Sequence, residues 1–317
     1  MNSFQELLAV IQAADKIIIH RHQNPDPDAL GSQLGLALSI QAAFPQKTVL
    51  MAGADVGDLA WIAQMDAVTE ADYQNALVIV VDTANQPRIS GKHYKQGAQL
   101  MKIDHHPNVE PYGNWQYVDP NASSCAEIIG DLINTNPAVL KMNRAVAQAL
   151  YTGIVGDTGR FMYPSTSAHT LELAAQLIRY DFQPHKINER LNQLTLSQAR
   201  LQGYMFEHLT IDPSGAAQLI VPLDLLTKLG LDQSQAHAIV STPGRLQEVH
   251  SWFIAVEKPD HTYRIHLRSQ EPEIDGLAAQ HAGGGHALAS GANAHNLAEV
   301  ADIFQELIAL QKKFSAR

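Results

Sequence analysis

Asp104, His105 and His106 stand together after the run at residues 98–103 and end at Pro107, which puts three side chains able to bind a metal at the end of a predicted strand. One carboxylate and two imidazoles suit Mn²⁺, Mg²⁺ or Zn²⁺ rather than Cu(I) or an iron–sulfur cluster. Three other segments end apolar runs in the same way: His22-Gln23-Asn24-Pro25-Asp26-Pro27-Asp28, Asp82, and Asp157 within Gly153-Ile154-Val155-Gly156-Asp157-Thr158-Gly159. The prolines stiffen the first of these, so its side chains converge with little entropy left to lose. Each segment alone has an ordinary reading. The first can cap a helix with Asp28 as N-cap, Asp82 can be a turn residue, and the third can be a glycine-rich turn. It is not a phosphate-binding loop, because no Gly-Lys-Ser/Thr follows.

Together the segments offer five aspartates and three histidines, more than a single Zn²⁺ uses. The set fits two metals roughly 3.5–4 Å apart with a shared aspartate, Asp82. Such a site ionises water near neutral pH for in-line attack on phosphorus, and a histidine left off the metals can protonate the leaving oxygen.

A second group lies near the other end of the chain, at His281-Ala282-Gly283-Gly284-Gly285-His286. Consecutive glycines expose backbone N–H groups to an anion, and the histidine after them can touch a phosphate or a base. Arg268-Ser269, at a predicted strand end, adds a hydroxyl and a guanidinium suited to bidentate phosphate binding. Arg88 and Arg160 lie near metal motifs and can add phosphate contacts, or serve equally as surface ion pairs.

The elements that must hold these residues alternate between strand and helix. Strand patterns occur at 16–20, 49–52, 76–81 and 99–103. Helices begin after the capping pairs Ser3/Glu6 and Ser124/Glu127, from Asp28 onward, and at 144–152. This order implies βαβ units and a mostly parallel sheet, with ligands gathered beyond the carboxyl ends of the strands. Residues 187–209 read as a connecting helix. Strands at 217–221, 251–256 and 263–267 and a final helix capped by Asn296/Glu299 then predict a smaller α/β domain. The expected domains are 1–186 and 212–317, joined by 187–211.

At 317 residues and a formal net charge of -10, two domains are expected and a long track for nucleic acid is not. Cys125 is the single cysteine, which suits a reducing cytoplasm. No run approaches the roughly 20 apolar residues of a membrane span. The oligomeric state is left open, a homodimer among the options. A dinucleotide-dependent oxidoreductase is a poorer reading, since no G-x-G-x-x-G follows the first strand. A degenerate nucleotide sensor would lack a ligand, and none is missing.

The four metal motifs, in this order, resemble those of the DHH phosphoesterase superfamily. The resemblance implies that His22 and Asp26 hold one Mn²⁺-type ion, that Asp28, His105 and Asp157 hold the other, and that Asp82 bridges. It also implies that His106 faces the substrate phosphate and aids the leaving group while Asp104 orients the histidines. Arg268-Ser269 and Gly283-Gly284-Gly285-His286 resemble the substrate-binding elements of DHHA1 domains, although Ala282 stands where many members carry a fourth glycine. The departure at 282, with another at 287–290, bears on base preference. The implied fold is a mostly parallel α/β DHH domain, a smaller α/β DHHA1 domain and an active-site cleft between them.

Within the family, the larger single-strand exonucleases, the membrane-bound cyclic-dinucleotide phosphodiesterases and the family II pyrophosphatases each carry features that are not seen here. The chain is most similar to stand-alone bacterial DHH–DHHA1 proteins. That likeness implies a Mn²⁺-dependent phosphoesterase acting on short RNA (nano-RNA) and on 3′-phosphoadenosine 5′-phosphate (pAp). With few cations, only about two to five nucleotides would be gripped. The alternative is a soluble phosphodiesterase for cyclic di-AMP or pApA.

Overall fold

The computed structural model describes residues 2–316. The chain divides between Asn192 and Gln193 into two compact units.

The first unit runs α1 (Phe4–Ala13), β1 (Lys16–His20), α2 (Pro27–Ala43), β2 (Thr48–Met51), β3 (Leu77–Val81), β4 (Gln99–Asp104), β5 (Trp115–Val118), α3 (Cys125–Asn134), α4 (Arg144–Asp157), α5 (Ala168–Ile178) and α6 (Pro184–Asn192). Its five strands form an all-parallel sheet in the order β2-β1-β3-β4-β5. Central strands of such a sheet are covered on both faces, which is why β1 and β3 read as unbroken apolar runs. Ile17 and Ile19 pack with Leu7, Leu36, Ile129 and Leu150 of the helices. Ile18, Val78 and Val80 face the other way, onto Tyr73, Ile89 and Tyr112 from loop segments. In this strand order the chain turns one way after β1 and the other way after β3. Ligands of such sheets gather at this switch point, beyond the carboxyl ends of β1 and β3.

Several boundaries differ from the sequence reading. Helix α2 begins at Pro27, not at Asp28, and its N-cap is Asp26, whose Oδ1 accepts from the Ala29 N–H at 2.9 Å. Proline is suited to the first helical position because its missing donor would be unsatisfied there anyway. Residues 153–157 are not a glycine-rich turn: α4 continues through Gly153 and Gly156 to Asp157. The glycines serve helix packing. A Cβ on Gly153 would lie 2.6 Å from Ala126 Cβ and 2.8 Å from Asp28 Oδ1, and one on Gly156 would lie 2.6 Å from Pro27 Cβ. From the facing helix, a Cβ on Gly31 would lie 2.5 Å from the Ala149 carbonyl oxygen. Helices α2 and α4 thus come close enough to bring Asp28 and Asp157 together. Strand β5, with its short Trp-Gln-Tyr-Val sequence, was not anticipated.

The predicted connecting helix at 187–209 is two helices. Ile187 of α6 joins the core of the first unit. Leu201 and Met205 of α7 (Leu196–His208) join a core of the second unit. The second unit continues with β6 (Thr210–Ile211), β7 (Ala216–Val221), α8 (Leu223–Leu229), β8 (Ser251–Glu257), β9 (Tyr263–Ser269), α9 (Asp275–Gln280), β10 (Gly284–His286), β11 (Ala289–Ala294) and α10 (Leu297–Ser315). Its six-stranded sheet has the order β10-β11-β9-β8-β7-β6. Helices α9 and α10 cover one face through Leu277, Val300, Ile303 and Leu307. On the other face, α7 and α8 cover Leu219, Val221, Ile254 and Val256 of β7 and β8. Strands β10 and β11 escape sequence reading because Gly, Ala, Ser and Asn are weak strand formers. No helix among the described residues is long and apolar enough to cross a membrane.

The glycine contacts predict opposite outcomes for two alanine substitutions. Gly153→Ala should cost about 1–3 kcal/mol by overpacking the α2–α4 contact. Gly203→Ala, inside α7 with nothing within 4 Å of the added methyl, should stabilise by about 0.5–1 kcal/mol. Calorimetric melting of both variants checks the signs; a Gly153→Ala protein that melts like wild type contradicts the packing argument.

Candidate functional site

Strand ends set the site. His22 follows β1 and forms an isolated antiparallel bridge with Ile89, while the Gln23 N–H donates to the Arg88 carbonyl at 2.7 Å. Asp82 follows β3 in the left-handed region, at φ 49°. Asp104 ends β4, and Asp157 ends α4. Three groups of donor atoms each lie within 4.8 Å of one another: His22, Asp26 and Asp82; Asp28, His105 and Asp157; and Asp82, His105 and His106.

Two histidines present the same edge to the carboxylates. His22 Nδ1 lies 2.7 Å from the Gln23 carbonyl oxygen, leaving Nε2 at 3.5 Å from Asp26 and 3.4 Å from Asp82. His105 Nδ1 lies 3.4 Å from the Ala122 carbonyl oxygen, and its Nε2 lies 3.5 Å from both Asp82 and Asp157. A backbone carbonyl behind the ring is the usual way to fix a metal-ligating imidazole. His106 is turned the other way, with Nδ1 at 2.8 Å from Asp104 Oδ1. Asp82 Oδ1 is buried and accepts no hydrogen bond. A buried carboxylate oxygen without a donor, ringed by carboxylates and imidazoles, fits a divalent cation.

Asp28 has a further duty. Its carboxylate accepts from the Cys125 N–H at 2.7 Å, the Ala126 N–H at 2.9 Å and the Ser32 hydroxyl at 3.1 Å. It thereby ties the start of α2 to the positive N-terminal end of α3. Burial nevertheless raises its pKa well above the carboxylate range, reinforced by Asp82 and Asp157. Burial likewise lifts Asp157 to about 7, at a helix C-terminus where negative charge is already disfavoured. Burial would lower His22, but Asp26 and Asp82 outweigh it and raise its pKa to about 11. His105 is raised in the same manner, burial being outweighed by Asp82 and Asp157. Asp82 is held low because those imidazoles overcome its burial.

Sequence reasoning missed the groups that brace these residues. Arg21, fully buried, donates to the carbonyls of His22 at 2.8 Å and Ala54 at 2.6 Å. Gln33 donates to the Ile19 and Ala52 carbonyls at 2.6 and 2.9 Å. Lys102 pairs with Asp104 at 3.2 Å, both fully buried. The available signal was position, since a charged residue within or directly after a buried strand needs a partner. Arg88 and Arg160 are both exposed, and Arg160 follows Gly159 in a left-handed run that continues to Phe161.

In the second unit, β10 and β11 pair so that His286, Ala289 and Arg268 share one face of the sheet, with Gly284, Gly291 and His266 beside them. This is the face whose β7–β8 part α7 and α8 cover. Arg264 and Arg268 alternate with His266 along β9, another residue the sequence reading passed over although it lies two positions from Arg268. Burial lowers His266 to about 3, with help from His237 and the two arginines, so the arginines carry the positive charge of this row. Ser269 Oγ is buried without a hydrogen-bond partner. Gly283 and Gly285 permit close approach of β11: their Cβ atoms would lie 2.0 Å from the Gly291 carbonyl oxygen and 2.7 Å from that of Ala289. Gly284 has open space around it. Ala282 takes φ 50°, a conformation glycine holds more readily. His281 anchors the segment to α10, with Nε2 at 2.8 Å from Glu306 and Nδ1 at 3.3 Å from Glu299.

The sequence pattern of the DHH family, N-terminal domain, matches residues 16–154, and that of the DHHA1 domain matches residues 216–313. A Streptococcus mutans protein named "Probable bifunctional oligoribonuclease and PAP phosphatase NrnA" is 50% identical over 98% of this chain and 100% of its own length. A Bacillus subtilis protein named "Bifunctional oligoribonuclease and PAP phosphatase NrnA" is 41% identical over 97% of this chain and 98% of its own. The fold is shared with the crystal structure of an exopolyphosphatase-related protein from Bacteroides fragilis, at a TM-score of 0.86 and 22% identity, covering 98% of this chain and 97% of that one.

The protonation pattern makes stability depend on metal in a signed way. Folded metal-free protein binds more protons than the unfolded chain, because Asp157 (about 7) and His22 (about 11) lie above their unfolded values. That stabilisation is complete below the unfolded values and is lost as pH rises through the folded ones. Chelated protein should therefore melt at lower temperature at pH 8 than at pH 6. Divalent metal, which needs the deprotonated ligands, should bind more tightly at pH 8 and reverse the trend. Melting curves with EDTA and with Mn²⁺ check this; equal pH slopes in both would contradict it.

Proposed function

Because the chain belongs to the DHH family, with a DHHA1 domain following in sequence, we propose that it is a metal-dependent phosphoesterase that hydrolyses short oligoribonucleotides to mononucleotides and removes the 3′-phosphate of pAp. The observation that carries this reading is the pair of carboxylate–imidazole groups at the strand ends, His22/Asp26/Asp82 and Asp28/His105/Asp157, in a chain 50% identical to a relative of that name over its full length.

Two divalent ions, Mn²⁺ first among the candidates, would supply a water ionised near neutral pH and offset charge on the phosphoryl oxygens. His22 and Asp26 would hold one ion and Asp28, His105 and Asp157 the other, with Asp82 shared. Asp82 suits that place because it lies within 3.5 Å of both His22 and His105. His106 would protonate the leaving oxygen while Asp104 holds its ring. In the second unit, Arg268, Ser269, the amides of Gly283, Gly284 and Gly285, and His286 would bind a phosphate or nucleotide remote from the cleaved bond. Arg88 and Arg160, exposed beside the metal motifs, would add phosphate contacts. The -10 net charge suits short substrates, since a long backbone would need a continuous basic track.

Purified protein with Mn²⁺ should release adenosine monophosphate from pAp and mononucleotides from a 5-mer RNA. Turnover of cyclic di-AMP or pApA at least tenfold faster than either would favour the alternative substrate class, and no turnover of any of the four would end the nucleotide reading. Asp82→Ala should lower activity by at least about a hundredfold. His286→Ala should raise KM by roughly ten- to a hundredfold with kcat nearly kept, as expected for losing a charge-assisted hydrogen bond of ~1.5–3 kcal/mol. An unchanged KM on every substrate contradicts the grip assigned to His286.

A further inference from the structure

We propose that Lys102 is a positioning residue for proton delivery to the leaving group: by holding Asp104 it fixes the ring of His106. The proposal rests on the reading of His106 as the proton donor.

Lysine inside a central strand is unusual, and Lys102 has no exposed surface. Its Nζ donates to the Ala84 carbonyl at 2.9 Å and to Asn108 Oδ1 at 3.2 Å, lies 3.2 Å from Asp104 Oδ2, and sits 4.7 Å from the centre of the Tyr112 ring. Two of the ammonium's three donors are thus placed in hydrogen bonds, and the Asp104 carboxylate is its ion-pair partner. Tyr112 is fixed in turn, its hydroxyl donating to the Thr83 carbonyl at 2.7 Å. The ammonium therefore connects the loop after Asp82 to the loop after Asp104.

Asp104 is the residue this arrangement serves. No hydrogen bond reaches its Oδ2, so the Lys102 ammonium is what offsets the charge there. Its Oδ1 accepts from the His106 backbone N–H at 3.2 Å and faces His106 Nδ1 at 2.8 Å. An ion-paired carboxylate can only accept, so Nδ1 carries the hydrogen of that contact and chemistry passes to Nε2. His22 and His105 show the reverse arrangement, with Nε2 toward the carboxylates. Lys102 and Asp104 thus distinguish the donor histidine from its neighbour in sequence. Burying an ion pair is costly, and replacing such a pair by apolar residues of similar volume is often neutral or stabilising, so its place here is accounted for by what it does to His106.

In hydrolysis the water oxygen bonds to phosphorus and the ester P–O bond breaks, its electron pair leaving on the ribose oxygen. That oxygen takes the proton of His106 Nε2, and the proton lost by water restores the ring through solvent. A nitrophenolate leaves without a proton, which separates this role from general support of the site.

The test compares wild type, His106→Ala and Lys102→Met on 5′-phosphorylated diadenylate and on the p-nitrophenyl ester of adenosine 5′-monophosphate, with Mn²⁺. Lys102→Met should lower kcat on the dinucleotide by about ten- to a hundredfold, change it less than about threefold on the nitrophenyl ester, and leave both KM values unchanged. His106→Ala should show the same selectivity, more strongly. If His106→Ala loses equally on both substrates, the donor reading falls and this proposal with it. If His106→Ala is selective while Lys102→Met loses equally on both, or changes KM alone, the proposal for Lys102 fails by itself. Lys102→Gln, which keeps a neutral donor beside Asp104, is measured alongside as the variant less disturbed in folding; wild-type kcat on the dinucleotide in that protein overturns the proposal.

Discussion

Repulsion between carboxylates at the strand ends is the constraint around which the first unit is organised. Asp28 and Asp82 are almost wholly buried, and Asp26 and Asp157 face them. In a medium of low polarity such a cluster does not survive fully ionised without compensation. Each member is compensated by a different structural device. Asp26 caps α2, Asp28 receives two amides from the start of α3, Asp82 sits between two imidazoles, and Asp104 has Lys102. Asp157 has the least support, at the negative end of α4, and its pKa rises to about 7. The balance that remains unsatisfied is for positive charge, which is the electrostatic meaning of a cation site.

The backbone that creates this cluster follows from two simpler facts. A parallel sheet in the order β2-β1-β3-β4-β5 brings the ends of β1 and β3 side by side at the point where the chain reverses direction across the sheet. The histidine-aspartate loop and Asp82 are therefore neighbours by topology. Asp28 and Asp157 become neighbours by packing, because Gly31, Gly153 and Gly156 let α2 and α4 approach where any Cβ would clash. The cost of glycine inside a helix, roughly 1 kcal/mol relative to alanine, is accepted at these positions for a contact that no larger residue allows.

This division explains what was legible in the sequence. Strands β1, β3 and β4, the caps at Ser3, Ser124 and Asn296, and the histidine–aspartate motifs at the strand ends were readable because periodicity and residue chemistry are local. Gly153-Ile154-Val155-Gly156 read as a turn because propensity penalises glycine in helices, whereas the reason for these glycines lies in another helix. Strands β10 and β11 were hidden for a related reason: Gly283 and Gly285 are set by backbone proximity across the hairpin, and small side chains carry no alternation. Lys102 belongs to no motif, and only the fold reveals the carboxylate and carbonyl oxygens around it. What failed in each case was information held by a partner distant in sequence.

Charge distribution also bears on the substrate size proposed above. The chain is acidic overall, yet one sheet face of the second unit carries Arg264 and Arg268 four residues apart on β9, with His286 in the same cross-strand row as Arg268. Affinity for a nucleic-acid backbone grows with each phosphate neutralised, and a row this short saturates after very few. The net negative charge then works against every further phosphate. A ligand with only a few phosphates would gain the local contacts without meeting that repulsion, so the short substrates proposed above would need no steric gate: few cations on a chain that is otherwise acidic would suffice.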